Sequence, residues 1–135
     1  MYKNILIPIV FDGAGGHSES LECASALSEA GTNITLLHVI ENLPSYVVAY
    51  LPEKATDRLR AELRDEMEKL VKKVPGAKGE LINGHAGRAI IEYANNHAVD
   101  LIVIKSHRPG FHDYFLGSTA AYVVRRAQCA VHVIR

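Results

Sequence analysis

Short apolar runs alternate with helical patterns along this chain, and the alternation predicts an α/β fold: a three-layer open parallel five-stranded sheet with helices on both faces. Three observations carry the prediction. Ile5 to Phe11 and Leu101 to Ile104 are continuous apolar runs, as in strands buried on both faces of a parallel sheet. Apolar residues between the strands recur at helical spacing, most clearly Leu59, Leu63, Met67, Leu70, Val71 and Val74. Gly31 and Pro75-Gly76 stand where helices should stop.

Taken in order, the first strand is Ile5 to Phe11, leaving the sheet at Pro8, because a proline is out of place mid-sheet. Asp12 to Gly16 is a loop. Ser18 to Ala30 is a helix with Ser18 as N-cap and Leu21, Ala24, Leu27 and Ser28 facing inward. The second strand is Asn33 to Ile40. Asn42 to Pro52 is an unusually apolar connection, expected to pack on its own domain rather than on a partner. Glu53 to Val74 is the longest helix, Lys78 to Asn83 the third strand, and Arg88 to His97 a helix with Ile90, Ile91, Ala94 and Ala98 inward. Leu101 to Ile104 is the fourth strand, the next helix starts at Ser118, and Ala130 to Ile134 is the last strand.

Composition excludes several classes. The 135 residues suit a single domain, 1–135, that can bury a real core. Lys plus Arg equals Asp plus Glu at 15 each, so no global field favours nucleic acid or an anionic membrane. No apolar run approaches the roughly 20 residues of a membrane span. Met1-Tyr2-Lys3-Asn4 leads straight into a strand, so no signal peptide is expected, and the cytoplasm is the expected location. Cys23 and Cys129 stand far apart in apolar segments and read as buried thiols. The seven histidines show no metal-ligand spacing, and no catalytic triad motif is present.

The stretch Asp100 to Thr119 concentrates the chemistry. A buried strand runs into a basic loop with Lys105, Ser106, His107 and Arg108, and Gly117-Ser118-Thr119 then opens a helix. A helix start offers unpaired N–H groups and a positive dipole end, Gly117 permits close backbone approach, and Ser118 can cap the helix or donate to an oxyanion. The same features also suit an ordinary strand-to-helix turn. A second loop, Gly13-Ala14-Gly15-Gly16-His17-Ser18, is a near miss of the dinucleotide fingerprint, with Glu41 at the end of strand two where a ribose-binding carboxylate would stand. Asp12 beside it would repel a pyrophosphate, and a solvated turn is the competing reading.

Ile104-Lys105-Ser106-His107-Arg108 followed by Gly117-Ser118 resembles the nucleotide loop of the universal stress protein family. The resemblance covers the whole chain. It includes Met1 to Pro8, Leu37-His38-Val39, Gly84 to Ile90, Asp100 to Ile104 and Val123 to Arg135. Ser106-His107-Arg108-Pro109 with Leu116-Gly117-Ser118 is most similar to small bacterial members. The resemblance implies strand order 3-2-1-4-5 and bound ATP, with Mg2+ accompanying the nucleotide. It implies that backbone at Ile104, Lys105 and Arg108, with Gly117, Ser118 and Thr119, holds ribose and phosphates. Pro8, Val10 and Val39 would line the adenine, and His107 either touches a phosphate or turns outward. The chain departs from the family pattern in three places. Lys105 and Arg108 replace two glycines, the spacing from Arg108 to Gly117 is one residue short, and Val10 stands where the family carries an acidic residue. Cations can hold phosphates that amides would otherwise cradle, so ATP binding with modest base selectivity is expected.

The last strand, apolar and uncharged at a sheet edge, is expected to pair with its symmetry mate in a homodimer. Carboxylates are few near the loop, so little or no ATP hydrolysis is expected. The reading is an ATP-binding stress-response or regulatory factor with no catalytic residues and an unassigned protein partner. A scaffold of the same fold without nucleotide, and a weak ATPase, are the alternatives.

Overall fold

The structure, a computed structural model, describes residues 1–11, 16–106 and 116–135. Its strands are β1 (Asn4–Pro8), β2 (Asn33–Ile40), β3 (Ala77–Asn83), β4 (Leu101–Lys105) and β5 (Ala130–Ile134). Its helices are α1 (Ser18–Leu27), α2 (Ser45–Val48), α3 (Ala55–Val71), α4 (Ala86–Asn96) and α5 (Ser118–Arg126). The strands form one parallel sheet in the order β3-β2-β1-β4-β5.

Alternation along the inner strands sorts the core into two layers. Ile5, Ile7, Leu36, Leu101 and Val103 face α1 and α3, meeting Leu21, Ala24, Met67 and Leu70. Leu6, Leu37, Ile102 and Ile104 face α4 and α5, meeting Ile90, Tyr93, Ala94, Ala120 and Val123. This is why β1 and β4 read as unbroken apolar runs: neither face meets water. Burying each such Ile or Leu contributes about 1.5–3 kcal/mol relative to exposure. Gly87 brings α4 against α5, since a Cβ there would lie 2.7 Å from the Tyr122 ring.

Polar bonds close the amino ends of the strands. The Asp100 carboxylate accepts the N–H of Lys3 at 2.8 Å and of Asn4 at 2.9 Å, while its own N–H donates to the Asn4 carbonyl at 3.0 Å. Asn33 N–H donates to the Lys3 carbonyl at 2.8 Å, and the Thr32 hydroxyl to that of Tyr2 at 2.8 Å.

Several expectations are corrected at the element ends. β1 ends at Pro8, as its proline leads one to expect, although Ile9 N–H still reaches the Leu37 carbonyl at 2.7 Å. Ser18 is the first residue of α1 and His17 the N-cap. That helix ends at Leu27, not Ala30, because Ser28 turns extended and its hydroxyl bonds back to the Ser25 carbonyl. α3 spans Ala55–Val71, shorter than expected, and Leu59 is exposed. Ala98, expected inward, lies beyond α4 and is exposed with φ +53°, while the unassigned Tyr93 is buried. The apolar connection carries α2 and does not pack inward: Leu43, Tyr46, Val48, Tyr50 and Leu51 are all exposed. Both cysteines are half-buried, and burial pushes each thiol up from its ordinary value, which disfavours the reactive thiolate.

Candidate functional site

β1 and β4 are paired only at Ile5 with Leu101 and Leu6 with Ile102. Beyond that the chain leaves β1 toward α1 on one face and leaves β4 toward α5 on the other. Strand order reverses here, and a crevice opens outside the carboxyl ends, where ligands bind in sheets of this kind. The crevice is a cleft of about 370 Å³, within the usual range for a small-molecule site.

One wall is apolar. Pro8 ends β1 and Ile9 and Val10 follow it, Leu37 and Val39 come from β2, and Ile104 comes from β4. Ile90 and Ala120 close it from α4 and α5. The other wall is polar: Lys105, Ser106, Gly117, Ser118 and Thr119 on the β4–α5 side, and Gly16, His17 and Ser20 on the β1–α1 side. Glu41 stands on the rim at the end of β2.

Three helices begin at this cleft: α1 next to His17, α4 at Ala86, and α5 after Gly117. Their first amides and dipole ends favour an anion. Gly117 is the N-cap of α5 and brings no side chain to its first turn. Its φ of −59° suits any residue. Glycine relieves crowding there, because a Cβ would lie 3.1 Å from the Ser106 carbonyl oxygen and push it by a few tenths of an ångström.

Ser106 itself is buried and tied to the sheet. Its N–H donates to the Ile134 carbonyl at 2.8 Å, and its hydroxyl reaches the same oxygen at 3.3 Å. The basic loop therefore starts from a fixed point beside β5. Lys105 crosses the cleft, its ammonium donating to the Gly16 carbonyl at 3.1 Å with the Glu19 carboxylate at 3.7 Å. His38 Nδ1 donates to the Ile9 carbonyl at 2.8 Å, since a carbonyl can only accept, and the ring packs on Phe11. That bond holds β2 to the chain after β1 has left the ladder.

The cleft brings together eight of the ten residues expected from the sequence: Pro8, Val10, Val39, Ile104, Lys105, Gly117, Ser118 and Thr119. His107 and Arg108 lie outside the described residues, as does Asp12. Val10 is 59% exposed at the cleft, so its side chain brings apolar surface where an acid would have brought a polar contact. Sequence reasoning missed Ile9, Leu37, His38, Ile90 and Ser20 as lining residues. Strand ends adjoining Pro8 and Val39 carried a signal for the first three; nothing local marked Ile90 or Ser20. Of the histidines placed inside strands, His38 is half-buried and His132 exposed.

A larger hollow of about 500 Å³ lies between α3 and β3, around Met67, Val71 and Gly79. No helix start converges on it, and β3 is an edge strand. The cleft at the strand reversal is therefore the candidate site. Among the described residues no group of three or more His, Cys, Asp or Glu could hold a metal ion, and no helix is long and apolar enough to cross a membrane.

Comparison with known proteins bears on this geometry. The family model described as the universal stress protein family matches residues 1–135. Universal stress protein A homolog 2 of Coxiella burnetii is 31% identical, covering 99% of this chain and 95% of its own. The solved structure of universal stress protein UspA from Lactobacillus plantarum is 28% identical with TM-score 0.71, covering 99% and 98% of the two chains. Two more distant structures share the fold. One, from Arabidopsis thaliana with AMP bound, is 18% identical with TM-score 0.62 and coverage of 98% and 90%. The other, from Archaeoglobus fulgidus in complex with dAMP, is 17% identical with TM-score 0.64 and coverage of 99% and 98%.

Proposed function

The chain belongs to the universal stress protein family, and on that premise we propose that it binds an adenine nucleotide, ATP, in the cleft at the strand reversal and acts as a nucleotide-dependent stress-response or regulatory factor. One observation carries the proposal: an apolar wall suited to a base faces the start of α5 and the Lys105 ammonium across a single cleft. The distant relatives solved with AMP and dAMP support an adenine nucleotide as the ligand class.

In this reading adenine lies against Pro8, Val10 and Val39. Ribose and phosphates lie along the backbone at Ile104, Lys105 and Arg108 and on Gly117, Ser118 and Thr119. Mg2+ travels with the phosphates and carries part of their charge. Base selectivity is modest, because Val10 offers the ring no hydrogen bond. Hydrolysis is slow or absent: phosphoryl transfer needs a positioned water and charge stabilisers, and the described polar wall offers one cation. The protein works in the cytoplasm as one domain, paired with a second copy through β5.

Denaturing the purified protein should release a small molecule with the mass of an adenine nucleotide, and calorimetry should detect ATP binding. No released nucleotide, no heat and no thermal shift at millimolar ATP would overturn the reading in favour of a nucleotide-free scaffold. A turnover of about one per second, in the ordinary enzyme range, would overturn the non-catalytic part.

A further inference from the structure

Lys105 is already engaged. Its ammonium has three donors; one goes to the Gly16 carbonyl at 3.1 Å, and Glu19 in the first turn of α1 lies 3.7 Å away. The lysine side chain is 31% exposed and the carboxylate 59%, so the pair is wet and can exchange partners. Carbonyl and carboxylate both come from the β1–α1 side of the cleft; Gly16 lines it, while Glu19 stands in the first turn of α1 outside the lining. A phosphate bound between α5 and Lys105 must therefore approach a cation that a carboxylate partly neutralises.

From this juxtaposition we propose that Glu19 competes with the nucleotide's phosphates for Lys105 and is a specificity-determining residue, setting how strongly the site favours longer phosphate chains. The inference rests on the nucleotide reading above. A phosphate that takes the lysine leaves Glu19 beside it, uncompensated. The resulting repulsion grows with phosphate charge, from nothing for adenosine, through AMP, to ATP. Two unit charges about 4 Å apart in water-like surroundings change an equilibrium about fivefold, which sets the scale. Glu19 thereby narrows the advantage of ATP over AMP that Lys105 and the helix start would otherwise create. The Gly16 bond keeps the ammonium at the cleft whichever anion it faces.

The experiment titrates adenosine, AMP and ATP by calorimetry into wild type, Glu19→Gln, Lys105→Met and the double variant, each checked for fold by circular dichroism. Glu19→Gln should tighten ATP about fivefold and AMP by less, with adenosine unchanged. In the Lys105→Met background the same substitution should have a markedly smaller effect. At about 1 M salt, where screening acts over about 3 Å, the gain should shrink. An equal change for adenosine and ATP, no change at all, or a gain undiminished in the Lys105→Met background would overturn the inference. Wild-type binding without a graded response sinks this inference alone. If no variant binds any of the three ligands, the nucleotide reading fails and this inference falls with it.

Discussion

At Gly117 a hydrogen in place of a side chain keeps the first turn of α5 open to the cleft. Gly117→Val should abolish nucleotide binding at any salt while circular dichroism stays native. The valine adopts the backbone angles easily, and its Cβ needs only a small shift of the Ser106 carbonyl. Lys105 and Arg108 act differently, through charge. Lys105→Ala and Arg108→Ala should each weaken ATP by about 1–2 kcal/mol at low salt, the lower part of the range for charge-assisted contacts because Lys105 is partly solvated. The loss should fade in titrations at rising salt. If both variants bind as wild type at low salt, the two cations form only a solvated face and phosphate is held by backbone or not at all.

Among the elements, β1 and β4 meet through Asp100 as well as through their ladder. Asp100→Ala strands two backbone N–H groups, of Lys3 and Asn4. Thermal unfolding should show a loss of about 2 kcal/mol, a fall in Tm of roughly 5–10 °C, with nucleotide affinity unchanged because the cleft lies at the other end of the strands. An unchanged Tm would mean that water replaces the carboxylate at no cost. The inner strands were legible in the sequence for a physical reason: a strand covered on both faces must be apolar throughout, and Leu101 to Ile104 has few alternative readings; the strand order came only with the family resemblance. Helix ends were less legible. α1 and α3 stop where local hydrogen bonding and tertiary contact decide, as at Ser28, and no side-chain signal marks that choice. The segment around α2 misled because apolar residues read as inward-facing, whereas Tyr46 and Tyr50 are 70% and 89% exposed. The site was legible along the strand ends and at Gly117-Ser118-Thr119, where motif and topology coincide. It was illegible where it depends on a distant side chain: Glu19 reads as an ordinary first-turn acid until the fold sets it beside Lys105.

For the whole molecule, formal charge cancels at neutral pH and the sequence pI is about 7.1. Net charge therefore adds no long-range pull on an anionic ligand, and salt dependence should report chiefly the charges at the cleft. Among the described residues β5 is the outermost strand on its side of the sheet, and His132 on it is exposed. Light scattering at tens of micromolar should give twice the monomer mass. Val133→Pro, which removes a strand N–H and stiffens the edge, should halve it. A monomeric wild type would contradict pairing through β5.

The short pairing of β1 with β4 has a mechanical consequence. The sheet consists of two panels, β3-β2-β1 and β4-β5, joined by a seam two residue pairs long. At one end the Asp100 carboxylate ties β4 to the start of β1; at the other Ile7 and Val103 stay packed in the core, and beyond them the cleft opens, crossed by Lys105 reaching Gly16. Anything lodged in the gap is a rivet. It need not alter the resting shape to alter how often the panels breathe apart. Hydrogen–deuterium exchange should register this: ATP should slow the amides of Ile7 and Val103, beyond the last paired residues, more than those of β3 at the far edge. Equal protection everywhere would mean that the panels move as one plate.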